Sequence, residues 1–228
     1  MKTRCIRFNN LANVDDLLEG ETDDIGNIGH VFLVSCWSKS VIENIALWKM
    51  YGGDFSGCII KMPSNMFCNH GMGNYEKIII EDNKKEKKSK TLFENDFLTL
   101  KTTLMDLMKI EYKKKKKIFN PISRDGYFYY DDISVVKYKT QEWIFQKEWR
   151  FVLEQFPKKY DRNNLIKKEM FLPYFDLEID QSVFNKMEII LGPFASKSEE
   201  AILDALIKAY NPSCRYTKSK LNIRRTLS

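Results

Sequence analysis

The chain has 228 residues, of which 43% are hydrophobic and 13% aromatic, and this composition excludes an intrinsically disordered chain. No apolar run approaches the roughly 20 residues of a membrane-spanning helix. The formal net charge of +6 is local: "KKEKKSK" at 84–90 contributes +4 and the lysines at 113–117 contribute +5, so the remainder is −3 and no basic face covers the whole protein.

No Pro/Gly/Ser-rich linker interrupts the sequence, so a single domain over 1–228 is expected, with a lysine-rich insertion at about 83–118. The start, "MKTRCIRFNNLANVDD", has no apolar signal-peptide core. The five cysteines are odd in number and lack CxxC spacing, which reads as reduced thiols in a cytoplasmic protein outside the membrane. His30 and His70 have no cysteine partner at zinc-site spacing, so no metal is expected.

In chain order, "RCIRF" reads as a strand and Asn9 to Gly29 as a polar loop. "HVFLVSCW" is an apolar strand. "SVIENIALWKMY" has helical spacing, with Ser40 as N-cap and Glu43 completing a capping box, and Gly52-Gly53 ends it. "SGCIIKM" and "YEKIIIED" are strands. "FENDFLTLKTTLMDLMKI" predicts an amphipathic helix with Phe97, Leu100, Leu104, Leu107 and Met108 on one stripe. "GYFYYDD" and "SVVKYK" read as a hairpin around Asp131-Asp132. "MFLPYFDLEI" is extended, and Asp180 caps a short helix over "QSVFNKM". "EIILG" is a strand, "SKSEEAILDALIKAY" a capped helix and "CRYTKSKLNI" a closing strand. Strands outnumber helices without strict alternation, which gives an α+β chain with a mixed or antiparallel sheet.

"QEWIFQKEWRFVLEQ" carries the chemistry. A helix through Thr140–Ile144 turning to strand at about Phe145 would put Gln146, Glu148 and Arg150 on one face by the period of two, and Phe145, Trp149 and Phe151 on the other. A carboxylate fixed on such a face can stabilise positive charge developing at a ribose carbon when the glycosidic bond of NAD breaks. The alternative is structural: Glu148 and Arg150 pair across a sheet surface, worth about 0–1 kcal/mol. Cys36, Trp37 and Leu47 read as core, while Trp48 and Tyr51, one helical turn apart, fit either core or a pocket wall. Glu43 is a candidate partner for a base such as Arg150.

Four segments in this order resemble the bacterial family called domain of unknown function 2971. They are "RFNNLANVDDLLEG", "FLVSCWSKSVIENIALWKMYGGDFSGCIIKMP", "FQKEWRFVLE" and "MEIILGPFASKSEEAILDALIKAYNP". The Cys36-Trp37, Glu43, Trp48, Tyr51, Gly57 set together with Glu148-Trp149-Arg150 carries the resemblance. That family looks similar to ADP-ribosyltransferase folds, which implies a split sheet with flanking helices. It also implies an intracellular enzyme of the toxin or anti-phage class with NAD as its substrate. On that implication Glu148 is the catalytic carboxylate and Gln146 faces the acceptor, while Ser35, Ser38, Trp48, Tyr51 and Arg150 border NAD. Family members begin with a strand ahead of the segment that here starts at Arg7. Arg7 or Arg4 would stand in for a base on that strand.

Two functions are therefore expected in competition. One is an NAD-dependent transferase or glycohydrolase with an unknown acceptor. The other is a non-catalytic module of the same fold that contacts nucleic acid or a protein. The lysine runs allow an electrostatic hold on nucleic acid, but "KKKKK" contains no interleaved aromatic and reads more readily as a solvated insertion.

Overall fold

Seven consecutive register pairs, from Glu148↔Ser38 to Glu154↔Phe32, join the two longest strands of the computed structural model. The structure describes residues 1–22, 26–67, 98–99, 107–114, 122–124, 127–129, 132–157 and 172–224. In chain order the principal strands are β1 (Cys5–Asn10), β2 (Phe32–Ser38), β3 (Cys58–Lys61), β4 (Met108–Lys109), β5 (Glu111–Lys113), β6 (Tyr138–Thr140), β7 (Glu148–Glu154), β8 (Tyr174–Glu178), β9 (Glu188–Leu191) and β10 (Arg215–Lys218). The helices are α1 (Ile45–Tyr51), α2 (Asp132–Lys137), α3 (Gln181–Phe184) and α4 (Lys197–Tyr210). Antiparallel pairs dominate, with parallel pairing of β5 to β6 and of β9 to β10. The chain is α+β with few helices. Among the described residues no helix is long and apolar enough to cross a membrane.

The chain falls into two compact units. The first comprises 6–39 and 70–177. Its sheet has the order β8-β1-β2-β7-β4. Antiparallel pairing puts directly opposed residues on one face, so Val34 lies with Val152, Cys36 with Arg150 and Ser38 with Glu148. Val34 and Val152 pack into a buried cluster with Leu11, Ile28, Val135 and Val136. Each such side chain contributes about 1.5–3 kcal/mol on burial. A tight turn leads in from β1: Gly20 has φ +82 and a Cβ there would lie 2.6 Å from the Gly29 backbone, so only glycine fits.

The second unit comprises 1–5, 40–69 and 178–228. The parallel pair β9–β10 needs a crossover, and α4 supplies it. Ser196 accepts from Glu199 N and the Glu199 side chain bonds back to the cap, a capping box at the start of the helix that was expected to be capped. Trp48 is 2% exposed, and its Nε1 donates to Glu43 Oε2 at 2.9 Å.

Several expected elements differ. Helix α1 starts at Ile45, because Asn44 rather than Ser40 caps it, accepting from Ala46 N and Leu47 N. Leu98–Thr99 and Met108–Lys109 are strands, not parts of a helix. Met108 and Lys109 complete the sheet edge against Arg150 and Trp149, so tertiary pairing overrides the local periodicity. Asp132–Lys137 is a helix, not a hairpin strand, and Tyr127–Tyr129 pairs instead with Ile122–Arg124. The expected strand at 75–82 and the first lysine run at 84–90 lie outside the described residues, as do Lys115–Lys117 of the second run.

Candidate functional site

Four charged side chains of the first unit close a ring. Arg150 reaches Glu148 through Nε and Glu19 through Nη1. Lys139 Nζ stands 3.2 Å from Glu148 Oε2 and 3.1 Å from Glu19 Oε1. None of the four side chains is more than 6% exposed. Buried charges of this kind persist only when paired, and here two acids balance two bases.

The backbone places each member. Glu148 and Arg150 alternate on one face of β7, and Arg150 Nη1 also donates to Val136 O at 3.2 Å. Lys139 sits in β6, its ammonium 4.9 Å from the centre of the Trp143 ring. Glu19 ends a turn in which its N–H donates to Asp16 O at 3.0 Å. The Asp16 carboxylate accepts from Thr140 N and Oγ1, both at 3.1 Å, and so ties that turn to the residue after Lys139.

Burial by itself raises the Glu148 carboxyl pKa, but Arg150 and Lys139 outweigh it and hold the carboxyl down to about 2. Burial opposes charge on Lys139 too, yet Glu148 and Glu19 raise its pKa above the ordinary value. Glu148, Lys139 and Arg150 are therefore all charged at neutral pH. A depressed carboxyl pKa gives stability that is complete above the ordinary value of 4.5 and is lost as pH falls through about 2. Urea unfolding of the wild type and of Glu148→Gln should therefore show a stability gap that shrinks between pH 4.5 and 2. A gap that stays constant over that range would contradict this assignment.

Of the residues singled out from the sequence, Arg150 and Ser38 lie beside Glu148, and Gln146, Ser35, Arg7, Trp48 and Tyr51 are placed otherwise. Gln146 is buried, but it ends a 3-10 helix over Gln141–Gln146. Lys147 then turns left-handed with φ 46, and the strand begins only at Glu148, so the expected strand face does not include Gln146. Ser38 opposes Glu148, whereas Ser35 faces the other side of the sheet and accepts from Trp37 Nε1 at 2.9 Å. Cys36 is a free thiol opposite Arg150, where it bonds the Glu148 carboxylate, rather than part of the apolar core. Arg7 grips Asp176 through Nε and Nη2 at 2.8 and 2.7 Å, with Tyr174 stacked on its guanidinium at 3.8 Å. Trp48 and Tyr51 belong to the other unit, where Trp48 is core and Tyr51 is 56% exposed. Glu43 bonds Trp48 and accepts from Ser219 Oγ at 2.6 Å, so it is not the partner of Arg150. Glu19, Lys139 and Asp16 were not signalled by any local pattern.

Beside the ring lies a shallow groove of about 650 Å³. Lys109, Lys113 and Lys137 line it with Glu111 as the one acid, and Ile110, Tyr112 and Ile144 are among its other lining residues. Glu111 stands 3.2 Å from Lys113 and 2.9 Å from Lys137. Tyr112 joins the groove to the ring, because its hydroxyl oxygen accepts the Glu148 N–H at 2.8 Å. Among the described residues no group of His, Cys, Asp or Glu is placed to hold a metal ion.

Compared with protein-family models, curated proteins and solved structures, the chain matches none of them.

Proposed function

We propose that this protein is a non-catalytic cytoplasmic module that binds nucleic acid in the groove beside β5. The observation that carries the reading is the lining: three lysines face one glutamate, which leaves a surplus of positive charge at a concave surface. Lysines placed this way attract phosphates without reading bases. The sequence adds Lys114 to Lys117 directly after the groove-lining Lys113. A cytoplasmic setting accords with free thiols at Cys5, Cys36, Cys58 and Cys214. Kinship with the family named above is part of the same proposal and rests on the motifs quoted for it.

A second reading keeps the NAD-dependent transferase. It is favoured by one observation: Glu148 is held as a carboxylate, the state that stabilising charge at a ribose carbon requires. It ranks second because that carboxylate is 5% exposed and already engaged by two bases.

Fluorescence anisotropy with a labelled oligonucleotide tests the first reading. Affinity should fall steeply between about 50 and 200 mM salt, and Lys109→Ala or Lys137→Ala should each lower the log–log slope by about one. Lys109 is exposed and the Lys137–Glu111 pair is a partly exposed one worth about 0–1 kcal/mol, so the fold should survive. Absent or salt-independent binding would refute the reading.

A further inference from the structure

Resting on that reading, we infer that Lys113 and Lys137 form a phosphate subsite of the groove, which the Glu111 carboxylate occupies in the free protein and which a backbone phosphate takes by displacing it. Glu111 Oε2 stands 3.2 Å from Lys113 Nζ, and Oε1 stands 2.9 Å from Lys137 Nζ. The two oxygens of one anion therefore bridge two ammonium groups, which is the contact that two oxygens of a phosphate make with a pair of lysines. The three side chains are between 34 and 46% exposed, so an anion from solution can reach them. Ion pairs this exposed are weak, and a competing anion can replace one.

The backbone explains why one acid reaches both bases. Glu111 and Lys113 are two apart in β5 and so share a face, while Ile110 just before them is 1% exposed. Lys137 ends α2, one residue before Tyr138, which opposes Glu111 in the parallel pairing of β6 with β5. Lys113 is also steadied from a second side, its ammonium 4.8 Å from the centre of the Tyr138 ring. Two ammonium groups held close together repel, and Glu111 offsets that repulsion until a ligand arrives. Lys137 and Lys113 hold the Glu111 carboxyl below its ordinary pKa, so this internal competitor is charged at neutral pH. Lys109 differs: among the described residues Glu111 pairs with Lys113 and Lys137 and not with it.

Anisotropy with the labelled oligonucleotide at about 100 mM salt provides the test. Glu111→Gln should bind about tenfold tighter than the wild type. One further phosphate-neutralising charge adds about 0.9 to the log–log slope, which is close to tenfold over the decade from about 1 to 0.1 M salt. Displacement has a sharper signature than added charge alone. Lys137→Ala should cost at least about threefold more affinity in the Glu111→Gln background than in the wild type, because there Lys137 has no other anion to lose. Lys109→Ala should cost the same in both backgrounds. Thermal melting establishes that each variant is folded, and Glu111→Ser serves in place of Glu111→Gln should the latter not be. No gain from removing the Glu111 charge, or a cost of Lys137→Ala that is equal in the two backgrounds, would overturn the inference and leave nucleic-acid binding standing. Absence of binding by the wild type and by Glu111→Gln alike would overturn both.

Discussion

Arg150→Met should lower the unfolding free energy by about 3–5 kcal/mol, the cost of leaving a buried charge without its partner. Methionine fills much of the same volume, so the loss is electrostatic rather than a cavity effect. With Arg150 gone, Glu19 and Glu148 share only Lys139, and the ring carries one uncompensated negative charge at sites where no member exceeds 6% exposure. Adding Glu19→Gln to Arg150→Met removes one acid as well as one base and restores neutrality. The double variant should therefore lose less than the sum of the two single variants, because residues in one ion network do not add. Urea unfolding of the four proteins gives the coupling directly. Simple additivity would mean that Arg150 and Glu19 do not form the interaction assigned to them.

Local signals were enough for part of the fold. "SKSEEAILDALIKAY" reads as a capped helix, and α4 is capped by Ser196. The apolar runs at β2, β3 and β9 are strands as read. What could not be read is set by distant partners. Met108 and Lys109 look helical in their own window and become strand because Arg150 and Trp149 offer them a sheet edge. Lys147 adopts φ 46 with no glycine or asparagine to announce it, so the strand face was extended two residues too far, to Gln146.

The site divides in the same way. Glu148 and Arg150, two apart, were legible as a pair on one face. Glu19 and Lys139 were not, because one arrives from a turn more than a hundred residues earlier and the other from a separate strand. Without those two, the pair looked like a surface ion pair or a catalytic carboxylate with its guide. With them it is a closed, buried ring. Tyr112 was equally silent, since one tyrosine before a run of lysines has no local signature of a groove.

The role of Glu148 is tested most directly by Glu148→Gln, with stability and NAD turnover measured on the same preparation. Glutamine keeps the shape and can still accept hydrogen bonds, but it leaves Arg150 and Lys139 facing Glu19 alone. A structural Glu148 should then cost about 3–5 kcal/mol of stability. For a chain of 228 residues that is a fall in melting temperature of at least about 6 °C. The wild type should show no NAD turnover that depends on this residue. A variant that melts with the wild type, while wild-type turnover of NAD is abolished in it, would contradict this role and make Glu148 the catalytic carboxylate.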